Sequence, residues 1–242
     1  MKLEGKVALV TGAGHRVGRA LALALGREKM TVAVHYNASA GAANETIDLI
    51  GKAGGRAKTF GSDLTTPDAP HRLIDAVSKE LGALHVLINS AAVMRHQPFG
   101  SISPADWDST MALNLRAPFF LSQAAAAVMT GGGAIVNIAD LAAFETWPSY
   151  VPHSISKSGV VKMTESLARV LAPAIRVNAI APGAVLLPDD WTKKTGERLA
   201  DTTPLHRLGD PQDVVDAMLY LLSADYVTGE TIIVDGGRHI RK

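Results

Sequence analysis

The chain has 242 residues, 47% of them hydrophobic, and a formal net charge of +1 from 24 basic and 23 acidic side chains. That length suits one substantial α/β core, and the balanced charge carries no basic run that would track a nucleic acid. The absence of cysteine excludes disulfides, thiolate metal sites and cysteine nucleophiles.

Read from the start, "MKLEGKVALVTGAG" has too short an apolar run for a signal peptide and passes straight into a glycine turn. No later stretch approaches the ~20 apolar residues of a membrane span. The expectation is one soluble, cytoplasmic domain over residues 1–242, with no membrane or nucleic-acid partner. Residues 6–12 read as a strand that ends in glycine. Residues 16–28 place Val17, Ala20, Leu21, Ala24 and Leu25 on one helical face. A second strand spans 30–36, and a helix follows to about Ile50, where "AGG" stops it. "RAKTF" is a third strand, 67–81 a helix and 84–89 a fourth strand. A long helix is expected over 104–129, bent at Pro118 because a proline removes one helical hydrogen bond. A fifth strand covers 133–140, a helix carries Lys157, a sixth strand covers 175–182, a helix covers 211–223 and a last strand 230–237. Apolar runs alternating with helices predict a parallel sheet covered on both faces. Residues 183–210 read as a long irregular segment, the expected substrate-covering loop.

"TGAGHRVG" (11–18) lies between the first strand and the first helix. Gly12 permits a tight turn, and Gly18 permits close packing of helix on strand. The helix N-terminus then offers free N–H groups to a pyrophosphate. A P-loop is disfavoured, because no Gly-Lys-Ser/Thr follows at the needed spacing.

An ordered set of motifs carries a resemblance. It comprises Thr11-Gly12, Asp63-Leu64, Asn89-Ser90-Ala91-Ala92, Asn114, Lys157, Pro182-Gly183 and the ending "VTGETIIVDGG". Over nearly its whole length the chain resembles the short-chain dehydrogenase/reductases. It is most similar to their pteridine reductase branch, because Arg16 stands where the middle glycine of the turn usually stands and "HYNAS" (35–39) follows strand two. The resemblance implies a Rossmann-type doubly wound domain with a seven-stranded, mostly parallel sheet in the order 3-2-1-4-5-6-7. It carries cofactor contacts to Thr11, Gly12, Arg16, Val17, Gly18, Tyr36, Asn37, Ser39, Asp63, Leu64, Asn89, Ala91, Ala92, Lys157, Pro182, Gly183 and Val185. An acidic residue closing strand two would favour NAD; Tyr36 stands there instead, and Arg16 suits phosphate. NADP(H) is therefore favoured and NAD(H) is the alternative, since Ala38 replaces an arginine usual in that branch.

The resemblance also implies a catalytic set of Asn114, Asp140, His153 and Lys157. Asp140 takes the position of a serine, and His153 that of the proton-donating tyrosine, four residues before Lys157. Histidine, with a reference pKa of about 6.5, can give or take a proton near neutrality. Tyr150 is the second candidate donor; it shares a helical face with His153 only if the helix has begun before Pro152. Two readings stay open. One is a reductase of a carbonyl or an imine-like, pteridine-type small molecule; the other is a catalytically silent nucleotide-binding scaffold or sensor. Asp140, Phe144, Trp147, Tyr150, Leu186 and Trp191 are the expected substrate contacts. The remaining histidines show no ligand spacing, so no metal is expected. A homotetramer built through the long helices and the C-terminal strand is implied by the resemblance.

Overall fold

The computed structural model describes residues 1–186 and 192–240. Strands β1 (Val7–Val10), β2 (Thr31–Tyr36), β3 (Arg56–Gly61), β4 (Val86–Asn89), β5 (Gly133–Ile138), β6 (Ile175–Pro182) and β7 (Thr231–Val234) form one sheet in the order β3-β2-β1-β4-β5-β6-β7. Every adjacent pair is parallel. Between the strands run α1 (Arg16–Arg27), α2 (Ala40–Lys52), α3 (Ala69–Leu81), α4 (Pro104–Met111), α5 (Ala117–Val128), α6 (Val151–Leu171), α7 (Lys193–Asp201) and α8 (Pro211–Ser223).

Alternate residues of each strand feed two cores on opposite faces of the sheet. Ala8, Val10, Val32 and Val34 join Leu21 and Leu25 of α1, Ile50 of α2 and Met218 of α8. Leu9, Leu87 and Ile135 join Ile74 of α3, Leu121 of α5 and Ala168 of α6. This is why the strands read as unbroken apolar runs: both faces are covered. No helix among the described residues is long and apolar enough to cross a membrane.

The long helix expected over 104–129 is interrupted. Residues Ala112–Arg116 form a π-turn between α4 and α5, with the Ala117 amide donating to the Ala112 carbonyl. Pro118 explains the irregularity, because it has no N–H for the carbonyl of Asn114 four residues earlier. The distortion therefore precedes the proline and widens the turn that holds Asn114.

The segment 183–210 is not all loop, since it contains α7. Thr192 caps that helix by accepting from the Thr195 amide. Its sequence, "KKTGERLAD", is almost wholly polar, so it offers no apolar period to read. The expected contact Trp191 lies outside the described residues.

Candidate active site

The chain order of the sheet reverses between β1 and β4, and a cleft of about 1130 Å³ opens at the carboxyl ends of the strands there. Its floor is the glycine turn after β1. Gly12 has φ 65, and a Cβ on it would stand 3.0 Å from the Ala91 Cα. A Cβ on Gly18 would stand 2.3 Å from the Gly12 carbonyl oxygen, so only glycine lets α1 sit this close to the turn. Arg16 is held at φ 52, a left-handed conformation uncommon for a residue with a side chain. Its Nη2 donates to the Leu186 carbonyl at 2.6 Å, across the cleft mouth. His15 caps α1 with extended backbone and no side-chain bond, so the amides of the first helical turn stay available. An uncapped helix start behind a turn too tight for side chains fits a pyrophosphate.

Gly12, Arg16, Val17, Gly18, Asn37, Leu64, Ala91, Ala92, Lys157, Pro182, Gly183 and Val185 all line the cleft. The other expected cofactor contacts lie outside its lining. Thr11 is buried beneath it, where its Oγ1 accepts from the Ser90 and Ala91 amides at 2.9 and 3.0 Å and so ties β1 to the end of β4. Asn89 is turned into the sheet and donates to Asn137 Oδ1 at 2.8 Å. Tyr36 packs over Gly61, the Asp63 carboxylate folds back on Thr65, and Ser39 starts α2.

The expected catalytic residues converge from four places in the chain. Asn114 comes from the π-turn, Asp140 from the end of β5, and His153 and Lys157 from the first turns of α6. Asn114 is pinned at both ends of its amide. Oδ1 accepts from the Val93 amide at 2.8 Å, and Nδ2 donates to the Val93 carbonyl at 2.9 Å and to Ser156 Oγ at 3.1 Å. The His153 ring is only 3% exposed. Its Nδ1 lies 3.1 Å from the Val93 carbonyl and 3.4 Å from Asn114 Nδ2. Both Asn114 amide hydrogens already have acceptors, so Nδ1 carries a proton and donates it to Val93. Nε2 then faces the Asp140 carboxylate at 3.4 Å. Asp140 is oriented in turn, because its Oδ1 accepts from the Ala142 amide at 2.8 Å. Lys157 lies one turn after His153 and donates to the Ile138 carbonyl at 2.8 Å. Burial pulls its ammonium down from 10.5 to about 8, with the Asp140 carboxylate opposing.

Tyr150 is the N-cap of α6, outside the helical face of His153, and Pro152 occupies the first turn. Its ring stands edge-on to His96 at 5.3 Å and to Trp147 at 6.0 Å, and all three rings line the cleft with Leu186. Phe144, at the end of the short 3₁₀ turn after Asp140, is 48% exposed and lies outside the cleft lining.

Several lining groups had no signal in the sequence. Val93 acts through its backbone alone, and Leu199 and Arg238 arrive from distant elements. Ser156 could have been read, since it lies within the same helical turn as His153 and Lys157. Among the described residues no cluster of three or more His, Asp or Glu could hold a metal.

A parallel sheet with its cleft at the reversal of strand order, floored by a glycine turn, defines a dinucleotide-binding α/β oxidoreductase fold. The family profile described as enoyl-(acyl carrier protein) reductase matches residues 12–239. The 2-dehydro-3-deoxy-D-gluconate 5-dehydrogenase of Escherichia coli is 36% identical, over 97% of this chain and 96% of that protein. A putative short-chain alcohol dehydrogenase from Sinorhizobium meliloti superposes with a TM-score of 0.94 at 33% identity, covering 100% of both chains. The angucycline C-6 ketoreductase LanV, solved with bound NADP, superposes with a TM-score of 0.92 at 33% identity, over 99% of this chain and 97% of that one. The chain belongs to the short-chain dehydrogenase/reductase family.

Proposed function

We propose that this protein is a cytoplasmic, NADP(H)-dependent reductase of a carbonyl or imine-like heterocycle, in the pteridine reductase-like branch, with His153 as proton donor. The observation that carries the proposal is the buried His153, with Nδ1–H tied to the Val93 carbonyl and Nε2 facing Asp140 in the cleft. When bound, the nicotinamide supplies the hydride. The proton to be transferred would sit on Nε2, the ring nitrogen that no backbone group occupies, while Nδ1–H stays with the Val93 carbonyl. Asp140 accepts a hydrogen bond from that nitrogen or from a protonated substrate ring, and the Ala142 amide keeps its carboxylate in place. Lys157 adds a cation at the same wall, where burial strengthens its field. The rings of His96, Trp147 and Tyr150, packed edge-to-face, form a partly apolar wall of the cleft that would contact a substrate. NADPH consumption with a panel of dicarbonyls, quinones and pterins tests the reading. If NADPH binds and no substrate is consumed, the silent scaffold takes its place.

NADPH is expected to bind more tightly than NADH. Arg16 offers a guanidinium at the cleft mouth, and no acidic residue closes β2. Arg16→Ala is expected to lower NADPH affinity by about 10–100-fold, the value of one charge-assisted hydrogen bond, and to leave NADH almost unchanged. Fluorescence titration with both cofactors measures this; equal or tighter NADH binding by the wild type overturns the assignment.

The assembly proposed is a homotetramer. Supporting it, Trp107 on α4, Phe119 on α5, and Ile155 and Val170 on α6 are exposed apolar side chains, and β7 is an open sheet edge. Light scattering is expected to give four times the 25.4 kDa chain mass; a monomer alone sinks the proposal.

A further inference from the structure

We infer that His35 is a positioning residue for the dinucleotide: as a neutral imidazole it holds the Gly12 amide of the cofactor turn, and protonating it loosens that turn and weakens dinucleotide binding. The inference rests on the dinucleotide reading of the cleft and adds a group that the reaction itself does not use.

His35 is the fifth residue of β2 and is 2% exposed. Its side chain spans two cleft-forming segments. The Gly12 amide donates to Nδ1 at 3.2 Å, and Nε2 lies 2.9 Å from the Ser62 carbonyl. Its own carbonyl accepts from the Ala13 amide at 2.9 Å. The partners dictate the tautomer. An amide N–H can only donate, so Nδ1 presents its lone pair; a carbonyl can only accept, so Nε2 carries the hydrogen. The ring is therefore neutral, with one proton. A second proton has only Nδ1 to occupy, where it would point at the Gly12 N–H. That exchange removes a buried hydrogen bond and sets donor against donor.

Gly12 is the residue this most affects. It lies at φ 65 with the Ala91 Cα 3.0 Å from the place of a Cβ, so Gly12 has no side chain of its own to hold it, whereas the neighbouring Ala13 and Gly14 carbonyls are held by Thr46 and Arg19. The imidazole braces Gly12 instead.

Among the described residues the His35 ring's hydrogen-bond partners are the Gly12 amide and the Ser62 carbonyl, and no charged side chain forms an ion pair with it. On its own strand the neighbour is Tyr36. After β3, the Asp63 carboxylate is engaged by the Thr65 amide and hydroxyl at 2.9 and 2.7 Å. In the turn and α1, His15 and Arg16 are exposed, Arg16 donates to the Leu186 carbonyl, and Arg19 pairs with Glu45 of α2. Burial accordingly pushes the His35 imidazole below its ordinary 6.5, with the Ser62 carbonyl opposing. The sign follows. Below pH 6.5 the unfolded chain takes up a proton that the folded chain resists, so this group erodes stability as pH falls. Dinucleotide affinity erodes next, once the folded protein itself takes up the proton.

The test is calorimetric binding of NAD⁺, which lacks the 2′-phosphate that would titrate near pH 6. Wild type is compared with His35→Asn, whose side-chain oxygen can accept from Gly12 but does not titrate. Wild-type affinity is expected to fall about threefold or more between about pH 7.5 and about pH 5, with the variant flatter by at least half of that change. Nitrogen-resolved histidine NMR on the wild type is expected to show an Nε2–H tautomer for His35 that titrates below 6.5, whether or not the variant folds. An identical pH dependence in the variant, an Nδ1–H tautomer, or a charged ring at neutral pH overturns the inference. Failure of NAD⁺ and NADP⁺ to bind at any pH overturns the dinucleotide reading, and this inference with it.

Discussion

His153→Ala is expected to lower kcat by about 10²–10⁴-fold while leaving NADPH binding nearly intact, the loss typical of a removed general acid. Val93 and Asn114 fix the ring so that Nδ1–H is committed to the backbone and Nε2 alone faces the cleft and Asp140. His153→Phe keeps the buried volume and loses the proton, so it should lose rate to the same degree; a packing role alone would leave it active. His153→Tyr puts a different proton donor at the same position and is expected to keep part of the rate that His153→Ala loses. Tyr150→Phe is the control. Tyr150 lines the same cleft but caps the helix rather than sharing the face of His153. Steady-state kinetics on the four variants decide the matter: turnover abolished by Tyr150→Phe but not by His153→Ala makes Tyr150 the donor.

Lys157→Met is expected to separate activity from stability. Turnover should fall by about 10²–10³-fold, as when one preorganised electrostatic group is removed from a site. Stability should stay within about 2 kcal/mol of the wild type, from opposing terms. A fall from 10.5 to about 8 means that burying the charged ammonium costs the folded state roughly 3 kcal/mol. That cost is fully present below pH 8, shrinks as pH rises toward 10.5, and vanishes above it. Methionine removes the cost but strands the Ile138 carbonyl, a penalty of about 1–3 kcal/mol. Urea unfolding at neutral pH measures the balance. A loss of several kcal/mol accompanying the activity loss would make Lys157 a structural pin. The wild type should also gain on the variant between pH 8 and 10, where its own penalty fades.

The element order, the parallel sheet and the position of the glycine turn were legible in the sequence, because each rests on local pattern. Leu9, Leu87 and Ile135 had to be apolar on both sides of their strands, and Gly12 and Gly18 answer to a turn that no side chain fits. The four-residue spacing of His153 and Lys157 placed both on one helical face for the same local reason. Other features depended on distant backbone. The Val93 carbonyl that sets the His153 proton and the Ser62 carbonyl that sets the His35 proton belong to loops whose side chains say nothing of their role. Phe144 and Trp147, three residues apart, divided between solvent and cleft according to the turn that follows Asp140. The depressed ammonium of Lys157 required the burial that only packing against the end of β5 creates. Residue type and spacing carry local periodicity and steric demand, whereas the protonation and direction of a side chain are set by the backbone groups that the tertiary fold brings to meet it.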